Sequence, residues 1–125
     1  MKILIVEDVK INMEIYKIFL SSYNVEILTA MNGLEGIEMF RNNSDIDLIL
    51  MNYQMPVMNG YDAIKKIREF NKDVIIIMVS ALIGMSWIDE ELSDCGANDY
   101  LGLPLKKTSL VEKIEYYLKD KLKLK

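Results

Sequence analysis

The sequence predicts an α/β fold in which five strands alternate with five helices around a parallel sheet. Short apolar runs recur along the chain, and stretches with apolar residues at helical spacing separate them. Three of these runs are almost wholly apolar, which is typical of strands that helices cover on both faces. The chain has 125 residues, 51% of them hydrophobic, so we expect a single domain.

Each element has its own signal in the sequence. The predicted strands are Ile3–Val6, Val25–Leu28, Leu48–Met51, Val74–Val79 and Tyr100–Leu101. Apolar faces predict four of the helices, formed by Ile11, Ile15, Ile18 and Phe19, by Leu34, Ile37 and Phe40, by Ile64 and Ile67, and by Leu110, Ile114, Tyr117 and Leu118. Helix starts are predicted at Asn32-Gly33 and, as capping boxes, at Ser86 with Asp89 and at Ser109 with Glu112. The fourth helix is predicted to end at Cys95-Gly96.

This succession predicts a flavodoxin-like (βα)5 doubly wound sheet of five parallel strands in the order 2-1-3-4-5. The predicted domain spans residues 1–122, and residues 123–125 form a basic tail. The basic run 119–125 is interpreted as either a frayed helix end or a junction to a further domain. Ligands of such folds bind beyond the carboxyl ends of the strands. The residues that follow the strands there are Glu7-Asp8, Asn52, Ser80-Ala81 and Leu103-Pro104.

Counting residues excludes several kinds of chemistry. With no histidine and one cysteine, Cys95, the chain cannot form a histidine-based triad, a Cys/His zinc cluster or an intrachain disulfide. A formal net charge of −4 disfavours binding to nucleic acid or to an anionic membrane. The first apolar run is too short for a signal peptide or a membrane span, so we expect a cytoplasmic protein.

Two adjacent carboxylates, Glu7 and Asp8, directly follow the first predicted strand. Like charges in a partly desolvated position are unfavourable unless a cation meets them, and oxygen ligands suit a hard cation. We therefore predict a Mg²⁺ site, completed by Asn52 and a backbone carbonyl of the following loop. The alternative is a solvated acidic turn.

Four ordered segments resemble the receiver (CheY-like) domain of bacterial two-component response regulators, and together they extend over essentially the whole chain. They are Ile3–Asp8, Leu48–Gly60, Ser80-Ala81 and Gly96–Leu101. The segment Val6–Asn12 is most similar to receivers of hybrid histidine kinases. The resemblance implies a module of phosphorelay signal transduction that is not itself an enzyme.

The resemblance also implies roles for individual residues. Glu7 and Asp8 would hold the metal together with Asn52 and the backbone carbonyl of Gln54. Ser80 and Ala81 would occupy the phosphoryl-contact position, and Tyr100 would be the aromatic switch. The peptide bond of Leu103-Pro104 would be cis, as it is in the family.

Two positions depart from the family pattern. Asn52 replaces the phosphoacceptor aspartate, and a carboxamide cannot supply the carboxylate that forms an acyl phosphate. Leu103 replaces a lysine and offers neither charge nor donor. The formal charges of the usual three carboxylates and one lysine sum to −2, and those of Glu7 and Asp8 also sum to −2. Loss of the aspartate at position 52 and of the lysine at position 103 therefore leaves the net charge of the site unchanged. This favours a naturally degenerate receiver, while an engineered change of the phosphoacceptor stays open.

The leading interpretation is a pseudo-receiver that binds Mg²⁺ weakly and acts by protein-protein interaction. We expect its partner, a histidine kinase or a phosphotransfer domain, to bind the face around Trp87, Tyr100 and Lys106. One alternative is phosphate acceptance on Asp8 or Glu7. Binding of FMN is disfavoured, because the loop over residues 6–12 has neither glycine nor hydroxyl to hold a phosphate.

Overall fold

The computed structural model describes residues 1–82 and 84–125, without the side chains at positions 86, 87, 89 and 92. Five parallel strands form one sheet in the order β2-β1-β3-β4-β5, which confirms the predicted flavodoxin-like topology. The strands are β1 (Lys2–Val6), β2 (Glu26–Ala30), β3 (Leu48–Asn52), β4 (Ile75–Ser80) and β5 (Asp99–Gly102). From β1 the chain adds β2 on one side of the sheet and then β3 on the other. This switch leaves a crevice at the carboxyl ends of β1 and β3.

A helix follows each strand. The helices are α1 (Lys10–Leu20), α2 (Gly33–Asn42), α3 (Gly60–Phe70), α4 (Ser86–Cys95) and α5 (Lys107–Leu118). As predicted, Asn32 caps α2 by accepting a 2.9 Å hydrogen bond from the Glu35 amide, and Gly96 ends α4 with φ 98°. The predicted capping box at Ser109 is wrong, because α5 begins two residues earlier and the Leu110 amide already bonds the Lys106 carbonyl. The box at Ser86 and Asp89 lies outside the described side chains.

The core is divided between the two faces of the sheet. On β1, Leu4 and Val6 contact the side covered by α2, α3 and α4, whereas Ile3 and Ile5 contact the side covered by α1 and α5. All four side chains are at most 1% exposed. Burial on both faces explains why the central strands are continuous apolar runs.

The predicted apolar face of α1 is wrong at Ile11 and Ile18, whereas the predicted Phe19 is partly buried and packs against the core. Ile11 and Ile18 are 68% and 66% exposed, whereas Met13, Tyr16 and Leu20 are buried. Both sets have helical spacing, and the second set contains the large Tyr16 and Leu20, whose burial against α5 removes more surface from water.

The prediction for α2 is wrong at Leu34, which is 46% exposed. A β-carbon at Gly36 would lie 2.8 Å from Val6 Cγ2. The helix therefore packs its glycine edge closely on β1, and this rotation turns Leu34 outward.

Hydrogen bonds hold the end of the chain against the loop before β2. The Asn24 amide bonds the Lys123 carbonyl at 2.7 Å, and the Lys125 amide bonds the Ser22 carbonyl at 3.0 Å. Leu122 is buried in the core. The prediction of a frayed end is therefore wrong, while the domain boundary at residue 122 stays a prediction. Among the described residues, no helix combines the length and the apolar character of a membrane span.

Candidate functional site

Three polar side chains are buried at the carboxyl edge of the sheet, where β1, β3 and β4 end. Glu7 is 0% exposed, Asn52 7% and Ser80 1%, and they are the buried polar side chains among the described residues. Parallel registers place Val6 beside Met51, and Asn52 beside Val79. The structure thus brings the predicted residues of three separate segments to one edge.

The side-chain amide of Asn52 is the centre of this edge. Its Nδ2 donates to Glu7 Oε2 at 3.0 Å, to Asp8 Oδ1 at 3.1 Å and to the Gln54 carbonyl at 3.0 Å. An amide nitrogen carries two hydrogens, so at least one of them is shared between two acceptors. Two side-chain oxygens and one backbone oxygen therefore converge on a single nitrogen.

Glu7 is a buried carboxylate with limited compensation. Its Oε2 accepts a second hydrogen bond from the Val9 amide at 3.0 Å, while its Oε1 is buried without a hydrogen-bond partner. Burial raises the pKa of Glu7, the bond from Val9 opposes that effect, and neighbouring Asp8 raises the pKa further. None of the ion pairs within the described residues involves Glu7 or Asp8.

The donor set has the chemistry of a hard-cation site, because two carboxylates and a carbonyl face one point. That point is taken by Asn52 Nδ2, whose N–H groups repel a cation. Within the described residues, no group of three acidic or cysteine side chains is placed to hold a metal ion. In this arrangement the residues do not fit a cation. The predicted site had the side-chain oxygen of Asn52 as a ligand, whereas here the side-chain nitrogen faces the other donors.

Ser80 and Ala81 follow β4 at the same edge. Ser80 Oγ accepts a 3.0 Å hydrogen bond from the Leu82 amide, and the Ser80 carbonyl accepts one from the Leu103 amide at 3.1 Å. Ala81 is exposed. The hydroxyl is thus engaged in shaping the loop, and its contact with a phosphoryl group stays a prediction.

Leu103 packs as an apolar side chain against the core on the α1 and α5 side. It lines a cleft of about 130 Å³ together with Ile15, Tyr16 and Pro104, among others. The peptide bond between Leu103 and Pro104 is cis, as predicted. A partly buried apolar side chain therefore stands at the position at which the resemblance implies a lysine.

A family model described as the response regulator receiver domain matches residues 3–115. The chain belongs to this family. The two-component response regulator ORR42 of Oryza sativa subsp. japonica is 36% identical over 115 residues, which are 91% of this chain and 83% of that protein. The chemotaxis protein CheY1 of Helicobacter pylori strain J99 is 35% identical over 121 residues, 94% of this chain and 97% of that protein.

Solved structures agree with this membership. A chain of the co-crystal structure of the Saccharomyces cerevisiae histidine phosphotransfer signaling protein Ypd1 with the receiver domain of its downstream response regulator Ssk1 superposes with a TM-score of 0.85. It is 32% identical and covers 94% of this chain and 88% of its own length. The chain is therefore a receiver domain of two-component signalling, as predicted. Its likeness to hybrid-kinase receivers stays a prediction.

The predicted partner face of this receiver is described in part. Tyr100 is 41% exposed on β5, and it lines a groove of about 480 Å³ with Pro104, Lys106 and Lys113, among others. The side chain of Trp87 lies outside the described residues. Tyr100 and Lys106 thus share one surface, while the switch role of Tyr100 stays a prediction.

Two features of the receiver escaped the sequence prediction. The Tyr53 hydroxyl donates to Glu91 Oε2 and so links the loop after β3 to α4; burial and this bond raise the pKa of Tyr53 to about 12. Val57 is 76% exposed and has φ 70°, a conformation that is unfavourable for a β-branched residue. The position of both residues shortly after Asn52 was the one sequence signal that could have pointed to them. Neither the Tyr53–Glu91 contact nor the positive φ of Val57 follows from residue type.

Proposed function

We propose that this receiver is a pseudo-receiver, a signalling module that acts by protein contacts and forms no acyl phosphate. The observation that carries the proposal is the residue at the end of β3. Asn52 stands at the family's phosphoacceptor position, and a carboxamide lacks the carboxylate oxygen that attacks a phosphoryl group. Its amide nitrogen, moreover, is engaged with Glu7 and Asp8.

The surroundings of Asn52 support the same proposal. Where the family has a lysine, the partly buried Leu103 packs against the apolar core and supplies no cation to a phosphoryl group. The carboxyl groups of Glu7 and Asp8 lie beside Asn52, and carboxylates repel an anionic phosphodonor unless a cation lies between them. We propose that Mg²⁺ binds weakly, since only two carboxylates remain to hold it and the Asn52 nitrogen faces the point that the ion would occupy.

The proposed mode of action is binding of a protein partner through the face of Tyr100 and Lys106, together with Trp87. The groove beside Tyr100 and the exposed Lys106 and Lys107 support this face. The Ssk1 receiver was crystallised with a phosphotransfer protein. We propose a partner of that class, a phosphotransfer domain or a histidine kinase.

Intact mass spectrometry after incubation with Mg²⁺ and acetyl phosphate tests the proposal. We expect no phosphoryl adduct on the wild-type chain. The double variant Asn52→Asp/Leu103→Lys should acquire an adduct, and Asn52→Asp alone should acquire less, because the lysine is still missing. As a matched control, Asn42→Asp makes the same chemical change on the surface and should acquire none.

An adduct on the wild-type chain would overturn the proposal. The alternative of phosphate acceptance on Asp8 predicts that this adduct disappears in Asp8→Asn and persists in the surface variant Asp73→Asn. Equal labelling of Asn52→Asp and the double variant would show that Leu103 does not limit the reaction. That result would favour an engineered phosphoacceptor over a paired natural loss.

A further inference from the structure

We propose that the Asn52 amide takes the place of a divalent cation, so that this side chain excludes cations from the carboxyl edge and does not ligate them. This inference rests on the proposed function for the role of residue 52. It adds the direction in which cation affinity should change when the Asn52 side chain is removed. A ligand and an occupant of the same position have opposite effects on cation binding when they are removed.

The geometry supports occupancy. Asn52 Nδ2 lies 3.0–3.1 Å from Glu7 Oε2, Asp8 Oδ1 and the Gln54 carbonyl. Oxygen ligands of Mg²⁺ lie at about 2.0–2.1 Å, so these oxygens would close around the ion by about 1 Å. The nitrogen and the ion cannot share the point on which the oxygens converge, and the amide has to turn away before a cation enters.

The backbone around Asn52 restricts how the amide can turn away. The Tyr53 amide bonds the Val79 carbonyl at 2.9 Å, and the Gly60 amide bonds the Tyr53 carbonyl at 2.8 Å. A β-carbon at Gly60 would lie 2.2 Å from the Asn52 carbonyl oxygen, so α3 begins directly against this strand end. Withdrawal therefore requires rotation of a side chain that is 7% exposed.

Charge explains why the amide adopts this position. No ion pair of the described residues neutralises Glu7 or Asp8. The amide hydrogens are the donors that these two carboxylates share, and they separate like charges that would otherwise face each other. A cation that displaces the amide has to replace these hydrogen bonds, which lowers its affinity.

The experiment measures binding of Mn²⁺ alone, a paramagnetic substitute for Mg²⁺, by electron paramagnetic resonance. If Asn52 is an occupant, Asn52→Ala should bind Mn²⁺ about tenfold more tightly than wild type, which corresponds to one charged hydrogen bond no longer displaced. The matched control Asn42→Ala removes an exposed amide and should bind as wild type does. The double variant Asn52→Ala/Glu7→Gln should lose the added affinity, which identifies the site.

Equal or weaker Mn²⁺ binding by Asn52→Ala would overturn the inference, because a ligand and not an occupant would have been removed. If Asn52→Ala does not fold, Asn52→Ser, which also removes the amide, decides the question by the same measurement. Tighter Mn²⁺ binding than wild type supports occupancy, and equal or weaker binding contradicts it. A phosphoryl adduct on wild type would refute the pseudo-receiver proposal and leave these binding results in place.

Discussion

Acidic side chains have different partners at the two edges of the sheet, the amino edge where the strands begin and the carboxyl edge where they end. At the amino edge, Asp47 accepts hydrogen bonds from the Lys2 amide at 2.8 Å and from Lys121 Nζ at 2.6 Å, and Asp45 pairs with Lys2 Nζ at 2.6 Å. At the carboxyl edge, Glu7 and Asp8 receive hydrogen bonds from neutral amides. Lysine cations thus pair with the acids at the amino edge, whereas the donors that the described residues offer to Glu7 and Asp8 are neutral amides.

The pKa values respond in opposite directions. Burial raises the pKa of Asp47, but the hydrogen bonds and charge of Lys121, together with the Lys2 amide, outweigh it and lower the pKa overall. For Glu7, burial dominates and the pKa rises. Folding therefore favours the charged form of Asp47, whereas burial in the folded state disfavours the charged form of Glu7. Charges retained against stability are typical of functional sites.

Removal of the acid at the amino edge should have the largest effect on stability. Asp47→Ala loses two charge-assisted hydrogen bonds and should lower the free energy of unfolding by about 2 kcal/mol. Urea denaturation at neutral pH measures the change. The exposed Asp73→Ala is the matched control and should stay within about 0.5 kcal/mol of wild type. A loss in Asp47→Ala no larger than that of the control would remove the contrast between the edges.

At the carboxyl edge, removal of an acid should act in the other direction. Asp8→Asn keeps the oxygen that accepts from Asn52 and removes the charge that faces Glu7, so it should raise the free energy of unfolding by about 1 kcal/mol. The same urea denaturation measures it, with Asp73→Asn as the surface control. Destabilisation by Asp8→Asn would show that this carboxylate is as well compensated as Asp47.

The pH dependence should distinguish the edges by sign. Because the pKa of Asp47 is lowered, its contribution is complete above its ordinary pKa of 3.8 and is lost as the pH falls through the folded-state value. The stability difference between wild type and Asp47→Ala should therefore shrink as the pH is lowered from neutral through the folded-state pKa of Asp47. Urea titrations at a series of pH values measure it, and a constant difference would contradict the prediction.

Glu7 should show the opposite trend. Its raised pKa means that the folded state binds the proton more tightly than the unfolded chain does, so the unfavourable contribution of its charge diminishes as the pH falls toward its ordinary value of 4.5. Wild type should gain stability relative to Glu7→Gln over that interval.

The smallest expected effect concerns the strained loop beside the carboxyl edge. Val57 has φ 70° and is 76% exposed. Asparagine tolerates this conformation, so Val57→Asn should raise the free energy of unfolding by about 0.5 kcal/mol. Thermal denaturation measures the change, and Val57→Ala, which removes the branch but still prefers negative φ, should gain less. Equal gains would mean that the branched side chain and not the torsion carries the strain.

Strand order and the residues of the site were predictable from the sequence, because apolar runs mark the strands and polar residues follow them. The buried face of α1 was not, since the exposed Ile11 and Ile18 have the same spacing as the buried Met13 and Leu20. The Asn52 amide shows a second limit. Residue type places an amide at the end of β3, but only the side-chain torsion determines whether oxygen or nitrogen faces Glu7.

Both ends of the chain lie at the amino edge. The Met1 carbonyl accepts from the Glu26 amide at the start of β2, and Lys123 and Lys125 bond to the loop just before it. Immobilisation on a biosensor chip through either end would therefore leave the opposite edge, with Asn52, facing the solution. The molecule can be anchored by both tails without masking the surface on which its binding reactions would be followed.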